Sequence, residues 1–498
     1  MHFLKSTLFV IAALLLALLA TTLVTAAMAG TVYIPKRGEW MWDTWVMQDG
    51  PDYQLFYLSK DGGLGRAVSQ DLIHWTQLPM IPNLAKPGDW DEKGMLLTGC
   101  TVKHNGKYYI TYGSKHPEPL GLLVSDDLKN WSRVGDPVLP RKEPYMQDWR
   151  DLSAYWDPLR KVWDGLLCAR YKGEPCVGHV SSPDLLHWAY HEPLFVSEPY
   201  TRDNNGFVEF EVPEFFELNG KYFITFSSIR SRKNLTSGRE DAAGTWYLMA
   251  DKKEGPYRVP KDPLLMGTGM GRIDHYVGRT ITFKGKRLMY CQNWGPYTGV
   301  NWSTPKLVQS GPNHELYLSY WPELDALKKG EIFSAASLTV KSDGDQRYAI
   351  HDLEGVTASD FMLTCDINIK SARSCTFTWR SNLPLQPPNS EKTPTYGLRI
   401  EPAEGQFSLV QVFPSLHFGA NTYQDWLQDR YTNRALCCGG KIKLRLMVRK
   451  DRSEVYINDR WIFNVGFRDF LQQGGFSILA ESGEVNISNL KIHELEPL

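Results

Sequence analysis

The chain has 498 residues, too many for one hydrophobic core, so two domains are the expectation. Its 55 Lys and Arg balance 56 Asp and Glu, which excludes both the basic footprint of a nucleic-acid-binding protein and an acidic solvating tail. Aromatic residues reach 12%, with 17 Trp, a richness common to all-β cores and to clefts that stack sugar rings.

The first segment, residues 1–29, reads as a signal peptide. His2 and Lys5 form a weak basic start, an apolar run follows from Leu8 to Val24, and Ala27-Met28-Ala29 puts small residues at the positions a signal peptidase reads. Cleavage is expected after Ala29, giving a secreted or periplasmic protein with no membrane association; retained, the run is long enough to span a bilayer. The eight cysteines show no C-x-x-C pair with zinc spacing, so no metal is expected. Cys168 with Cys176, and Cys365 with Cys375, are close enough in sequence to be disulfide candidates. Asn130, Asn234, Asn301 and Asn486 head N-x-S/T sequons. No Gly-rich loop precedes a helix, so neither a nucleotide nor another cofactor is expected.

The stretch Glu39 to Trp45, EWMWDTW, opens the next segment and sets one carboxylate, Asp43, among Trp40, Trp42 and Trp45. A self-similar motif follows: AVSQDLIHW ends at Trp75, LVSDDLKNW at Trp131 and HVSSPDLLHW at Trp188, spaced 56 and 57 residues apart. Between the copies lie strand candidates such as YQLFYLS, KYYITYG and KYFITFSS, several preceded by turn pairs such as Asn105-Gly106, Asn219-Gly220 and Lys284-Gly285. Units of about four strands repeated at this period predict a five-bladed β-propeller over residues 30–325, its blades running from about Gly38 to Leu324. SYWPELDALKKGEIF reads as a short helix or linker. Residues 326–498 alternate in short strands and predict a C-terminal β-sandwich, with Tyr396 to Ile400 and Leu444 to Val448 facing its interior. The fold class is therefore all-β.

In a propeller the innermost strand of each blade lines a central funnel. Asp43 opens blade one, Arg150 and Asp151 stand in WRDLSAYWD, and Glu211 stands in FEVPEFF. The acids are separated by 108 and 60 residues, close to two blades and one, which predicts equivalent points of blades one, three and four. Asp274 falls near the matching point of blade five, and with His275 is expected at the funnel rim. Three carboxylates converging in a Trp-rich funnel meet the needs of glycoside hydrolysis: a nucleophile or base, an acid for the leaving oxygen, and a group whose hydrogen bonds tighten in the transition state. Trp40, Trp42, Trp45, Trp90 and Trp149 are candidate sugar subsites. Arg66 and Arg150 could bind hydroxyls. Trp75, Trp131, Trp188 and His74 belong to the repeat and are read as structural.

These motifs resemble glycoside hydrolase family 32, the invertases and fructan hydrolases. WMWDTW stands where that family has W-M-N-D-P-N, GRAVSQDLIHW is similar to its G-H-A-x-S-x-D-L-x-H-W, WRDL to its R-D-P and FEVPEFF to its E-C-P-D-L-F. The resemblance implies that Asp43 is the nucleophile, Asp151 the transition-state stabiliser beside Arg150, and Glu211 the general acid/base, with cleavage by retention. Trp42 departs from the family's Asn, Thr44-Trp45 from its Pro-Asn, and Val212 from the Cys after the acid/base; the changes fall on residues that would contact the sugar. The implied substrate is a β-fructofuranoside within an oligo- or polysaccharide, with another furanoside or an unusual sugar of a plant or algal polysaccharide as the alternative. Two other readings stand beside it: an inverting arabinofuranosidase- or xylosidase-type hydrolase of plant or algal glycans resembling family 43, in which Asp43 would activate water, and a non-catalytic sugar-binding propeller. The oligomeric state is not legible in the sequence.

Overall fold

The computed structural model describes Tyr33, Pro35 and residues 40–114, 119–145, 147–198, 206–228, 243–268, 275–295, 299–342, 347–385, 395–415, 422–466 and 471–496. The expected signal peptide, Asn234 and Asp274 lie outside them. Among the described residues no helix is long and apolar enough to cross a membrane.

Five antiparallel sheets follow one another in the first part of the chain. Their innermost strands are Trp42–Asp49, Thr101–His104, Arg150–Asp157, Glu211–Leu218 and His275–Phe283. Within each sheet the next two strands in sequence pair outward in order, except that in blade five Gly299–Trp302 also pairs with Lys286–Gly295. The innermost strands pack on one another around an axis, and the ring closes where the Tyr290 hydroxyl of blade five takes the Val46 N–H of blade one at 2.7 Å. The inner hairpins of three blades turn where Asn or Lys precedes Gly, both left-handed: Asn105 and Gly106 at φ 49° and 80°, Asn219 and Gly220 at 52° and 73°, Lys284 and Gly285 at 47° and 75°. That is the backbone a tight two-residue hairpin needs.

The repeated Ser-Asp-Leu-Trp motif is a knitted turn at the outer edge of the first three blades. Ser69 Oγ takes the Leu72 N–H at 2.8 Å and Asp71 Oδ1 takes the His74 N–H at 2.8 Å; Ser182 and Asp184 do the same for Leu185 and His187. The middle leucines, Leu72, Leu128 and Leu185, are left-handed at φ 61°, 62° and 67°. The tryptophan that ends the motif folds back, so that Trp131 Nε1 and Trp188 Nε1 donate to the Leu128 and Leu185 carbonyls. The repeat is thus structural, as its spacing implies.

A 3-10 turn, Pro322–Leu327, leads into the second part. Two six-stranded sheets face each other there. Leu398, Ile400, Leu444, Leu446 and Val448 are fully buried between them. Ser319 of blade five pairs with Arg460 of the sandwich, so one sheet runs continuously from the propeller into the second domain. Behind that seam the Lys306 ammonium, wholly buried, sits 3.2 Å from Glu454, which also accepts the Thr304 and Tyr456 hydroxyls.

Neither disulfide candidate forms, and one sequon is closed. Cys168, Cys176, Cys365 and Cys375 are all free and buried. Cys168 pairs with Val177 and Cys176 with Ala169, one residue out of step, so the two thiols point to opposite faces of their sheet. Cys365 and Cys375 stand on the two different sheets of the sandwich. Asn301 is buried in a strand, closed to a glycan.

Candidate active site

The innermost strands of blades one, three, four and five share one irregularity. Trp42 pairs with Leu58 and Trp45 with Phe56; Arg150 with Cys168 and Ser153 with Leu166; Glu211 with Ser227 and Glu214 with Thr225; Tyr276 with Gln292 and Arg279 with Tyr290. In each case three steps along the inner strand match two on its neighbour, which is a β-bulge. The residue after the first member is left-handed every time: Asp43 at φ 42°, Asp151 at 61°, Val212 at 47° and Val277 at 56°. Positive φ in Asp is uncommon and in Val costs more, so the ring of bulges is a strained, constructed feature of the kind found at functional sites.

The bulges sort the funnel into tiers. Trp42, Arg150, Glu211 and Tyr276 form the upper tier. Asp43, Asp151, Val212 and Val277 occupy the bulge. Trp45, Ser153, Glu214 and Arg279 form the lower tier. Asp43 and Asp151 are therefore equivalent, as their spacing implies, but Glu211 is one position earlier than its expected match, which is Val212. The residue equivalent to Glu211 in blade five is Tyr276.

The three acids are brought together. Arg150 Nη2 lies 2.6 Å from Glu211 Oε1 and 3.4 Å from Glu209 Oε2, and Arg150 Nε lies 3.4 Å from Asp151 Oδ2. The Val212 N–H donates to Asp151 Oδ2 at 3.1 Å, so the bulge of blade four holds the acid of blade three. The Tyr276 hydroxyl donates to Glu211 Oε2 and the Thr98 hydroxyl, from the segment leading into blade two, donates to Asp43 Oδ2. Asp43 Oδ1 has no hydrogen-bond partner among the described residues. All five blades thus contribute a group.

Crowding sets the electrostatics. Burial pushes the Asp43 carboxyl well above the ordinary range, Asp151 and Glu211 push it further, and the Thr98 hydroxyl and Arg150 oppose them. Burial raises Asp151 to about 7; Glu211 adds to the shift, and Arg150, the Val212 N–H and Arg279 oppose it. Among the described residues no group of three His, Cys, Asp or Glu is arranged to hold a metal ion.

The tryptophans divide. Trp40 is 36% exposed and Trp42 half-buried, with ring centres 5.9 Å apart; the Lys60 ammonium stands 5.7 Å from the Trp40 ring. Trp42 adjoins Asp43 and Trp40 packs beside it, so both can offer a ring face to a sugar. Trp45 is corrected: it lies in the lower tier, buried and stacked on Phe56, its Nε1 bonded to Thr101 Oγ1. Trp149 is also core, stacked on Tyr190 and bonded to the Leu139 carbonyl. Trp90 stacks on Tyr112 and donates to the Gly135 carbonyl. Arg66 is buried against Phe56, away from the acids. His275 is buried beside Trp461 of the sandwich rather than on the rim. Sequence reading missed Thr98, Tyr276, Glu214 and Arg279; the signal for Tyr276 was its place 65 residues after Glu211, one blade on.

Fold and site together define an all-β protein with a buried acidic funnel in a five-bladed propeller joined to a sandwich. Residues 42–265, from the first bulge to the last strand of blade four, match the Glycosyl hydrolases family 32 N-terminal domain. It is 23% identical over 520 residues to a levanase of Bacillus sp. (strain L7), covering 93% of this chain and 52% of that protein. It is 24% identical over 499 residues to a levanase of Bacillus subtilis (strain 168), covering 89% of this chain and 67% of that one. The chain therefore spans about half the length of the first relative and two thirds of the second. Among solved structures, the Aspergillus kawachii beta-fructofuranosidase complexed with glycerol superposes with a TM-score of 0.69 at 14% identity, covering 94% of both chains. Fructan 1-exohydrolase IIa from Cichorium intybus does so at 0.66 and 14%, covering 94% of this chain and 97% of that one. At such identities these two matches speak for the fold.

Proposed function

We propose that the chain is a secreted glycoside hydrolase that cleaves β-fructofuranosidic linkages of an oligo- or polysaccharide with retention. The observation that carries the reading is the convergence of Asp43, Asp151 and Glu211, from three blades, at one ring of bulges, with Thr98 anchoring Asp43 Oδ2 and Oδ1 left over. In this reading Oδ1 attacks the anomeric carbon. The carbon–oxygen bond to the leaving group breaks, and the Glu211 proton passes to that oxygen. Water then replaces Asp43 at the same carbon and returns a proton to Glu211. Asp151, steadied by Arg150, accepts hydrogen bonds from ring hydroxyls that strengthen as the oxocarbenium ion develops. Trp40 and Trp42 stack the sugar at the mouth. The family match and the two levanases support a fructan or a related β-fructofuranoside as substrate, and the N-terminal apolar segment motivates secretion.

Product release from levan, inulin and sucrose tests this, with Asp43→Asn and Glu211→Gln run beside the wild type. Fructose release lost in both variants, with the first-formed anomer retained, is the expected result. An inverted first product would move Asp43 to the role of water activator. Binding without turnover of any glycan would make the propeller a sugar-binding module.

A further inference from the structure

Beneath the acids the lower tier holds a second charged assembly. Arg279, from blade five, reaches across the axis. Its Nη1 donates to the Gly99 carbonyl before blade two at 3.0 Å, its Nη2 to Ser153 Oγ of blade three at 3.4 Å, and its Nε lies 3.9 Å from Glu214 Oε1 of blade four. One guanidinium thus ties four of the five blades together. Glu214 is fixed in turn, since its Oε2 accepts the Thr280 N–H at 2.6 Å. Ser153 lies two residues past Asp151, about 7 Å along the strand, so the Arg279 guanidinium on Ser153 Oγ stands in the tier below Asp151 and opposes the rise of its carboxyl.

We infer that Arg279, with its charge trimmed by Glu214, is the fixed counter-charge of the reacting carboxylates, a positioning pair that sets which of them are ionised when substrate arrives. This rests on the proposed roles of Asp43 and Asp151. The upper tier and the bulge together set Arg150 against Asp43, Asp151, Glu211 and Glu209, besides Asp148, which Arg170 also holds, more negative groups than one cation can balance. Buried charges at this range act through a low dielectric, so a cation one tier down is felt. The bulge facing Asp151 in blade four ends in Val212, which adds an N–H but no charge. Around Arg279 and Glu214 stand Cys100, Tyr290 and Arg287. Arg287 is itself held by Thr280 Oγ1 and stacked on Phe216, which leaves Glu214 as the acid between two cations.

The pair makes two predictions of opposite sign. Glu214→Gln keeps the shape and the bond from the Thr280 N–H, but frees the full charge of Arg279. The acid limb of kcat/KM moves to lower pH by about half a unit to one unit. Arg279→Met removes the cation, and the limb moves up by a similar amount; Arg279→Lys leaves it near the wild-type position. The same order is read without substrate from ¹³C-carboxylate NMR of Asp-labelled full-length protein, with Asp151 assigned by its loss in Asp151→Asn. A merely structural brace would lower the melting temperature of both variants and move neither limb nor resonance. Shifts of the same sign in both variants, or none, overturn the inference. Should Arg279→Met fail to fold, Glu214→Gln alone decides it. If no fructoside is turned over, the NMR titration still reads the pair, so the two proposals fail separately.

Discussion

Arg150 Nη2 stands 2.6 Å from Glu211 Oε1, a charge-assisted hydrogen bond across the boundary between blades three and four. The bond links the two acids by one guanidinium, because Arg150 Nε also reaches Asp151. Tyr276 takes the other Glu211 oxygen from blade five. The proposed acid/base is therefore held from both sides by neighbours that the same ring of bulges aims at it, and each of its contacts makes a prediction.

Asp43→Asn removes the attacking oxygen's charge and should lower kcat by roughly 10⁴-fold or more on every fructoside. Glu211→Gln removes only the proton donor. Its loss should reach roughly 10²–10⁴-fold on natural linkages and shrink on a fructoside with an activated leaving group. Steady-state kinetics on the two substrate types checks both.

Tyr276→Phe deletes a donor to the Glu211 carboxylate. That hydrogen bond fixes the carboxylate's orientation toward the leaving oxygen, so its loss leaves the proton donor less well aimed. Steady-state kinetics should show kcat reduced more than KM is raised.

Thr98→Val keeps the side-chain shape and removes the hydroxyl that donates to Asp43. A hydrogen bond to a charged group contributes about 1.5–3 kcal/mol, so kcat/KM should fall roughly 10- to 100-fold. The acid limb should move up, since an opposing influence on the raised Asp43 is lost. Thr98→Ser should restore most of both.

Asp151→Asn should stabilise the fold while destroying activity. Asp151 is raised from 3.8 to about 7, so the native state holds its proton more tightly than the unfolded chain. Ionising it costs stability progressively as pH rises from about 4 to about 7, by up to about 4 kcal/mol above that window. The melting-temperature gain of Asp151→Asn should therefore be largest at pH 8 and vanish below pH 4, which a calorimetric pH series would read directly.

The domain seam has its own test. Lys306 is wholly buried against Glu454. Lys306→Met should cost about 3–5 kcal/mol by stranding that carboxylate, and pairing it with Glu454→Gln should recover part of the loss. Thermal unfolding of the three proteins compares them.

Much of this architecture was legible in the chain. The Ser-Asp-Leu-Trp repeat announced the blades because the same turn must be knitted at each edge, and its period led to Asp43, Asp151 and Glu211. The bulges were not legible, and most errors trace to them. Within an inner strand the bulge sets adjacent residues in different tiers, while the blades differ in length, so spacing does not tell which neighbour faces the axis: Glu211 precedes its expected match, and Tyr276 takes the blade-five position that spacing assigned near Asp274. Trp45 read as a sugar contact because it follows Asp43 closely, yet two strand steps past a bulge put it in the tier below. The cysteine pairs were near in sequence but out of step across strands or on different sheets, a matter of register that spacing does not encode.

The central claim is that Asp43 carries the sugar covalently. Glu211→Gln incubated with an activated fructoside should slow the second step, and intact-protein mass should rise by one dehydrated hexose, with peptide mapping locating it on Asp43. An unmodified protein that still releases fructose of inverted configuration would contradict the account.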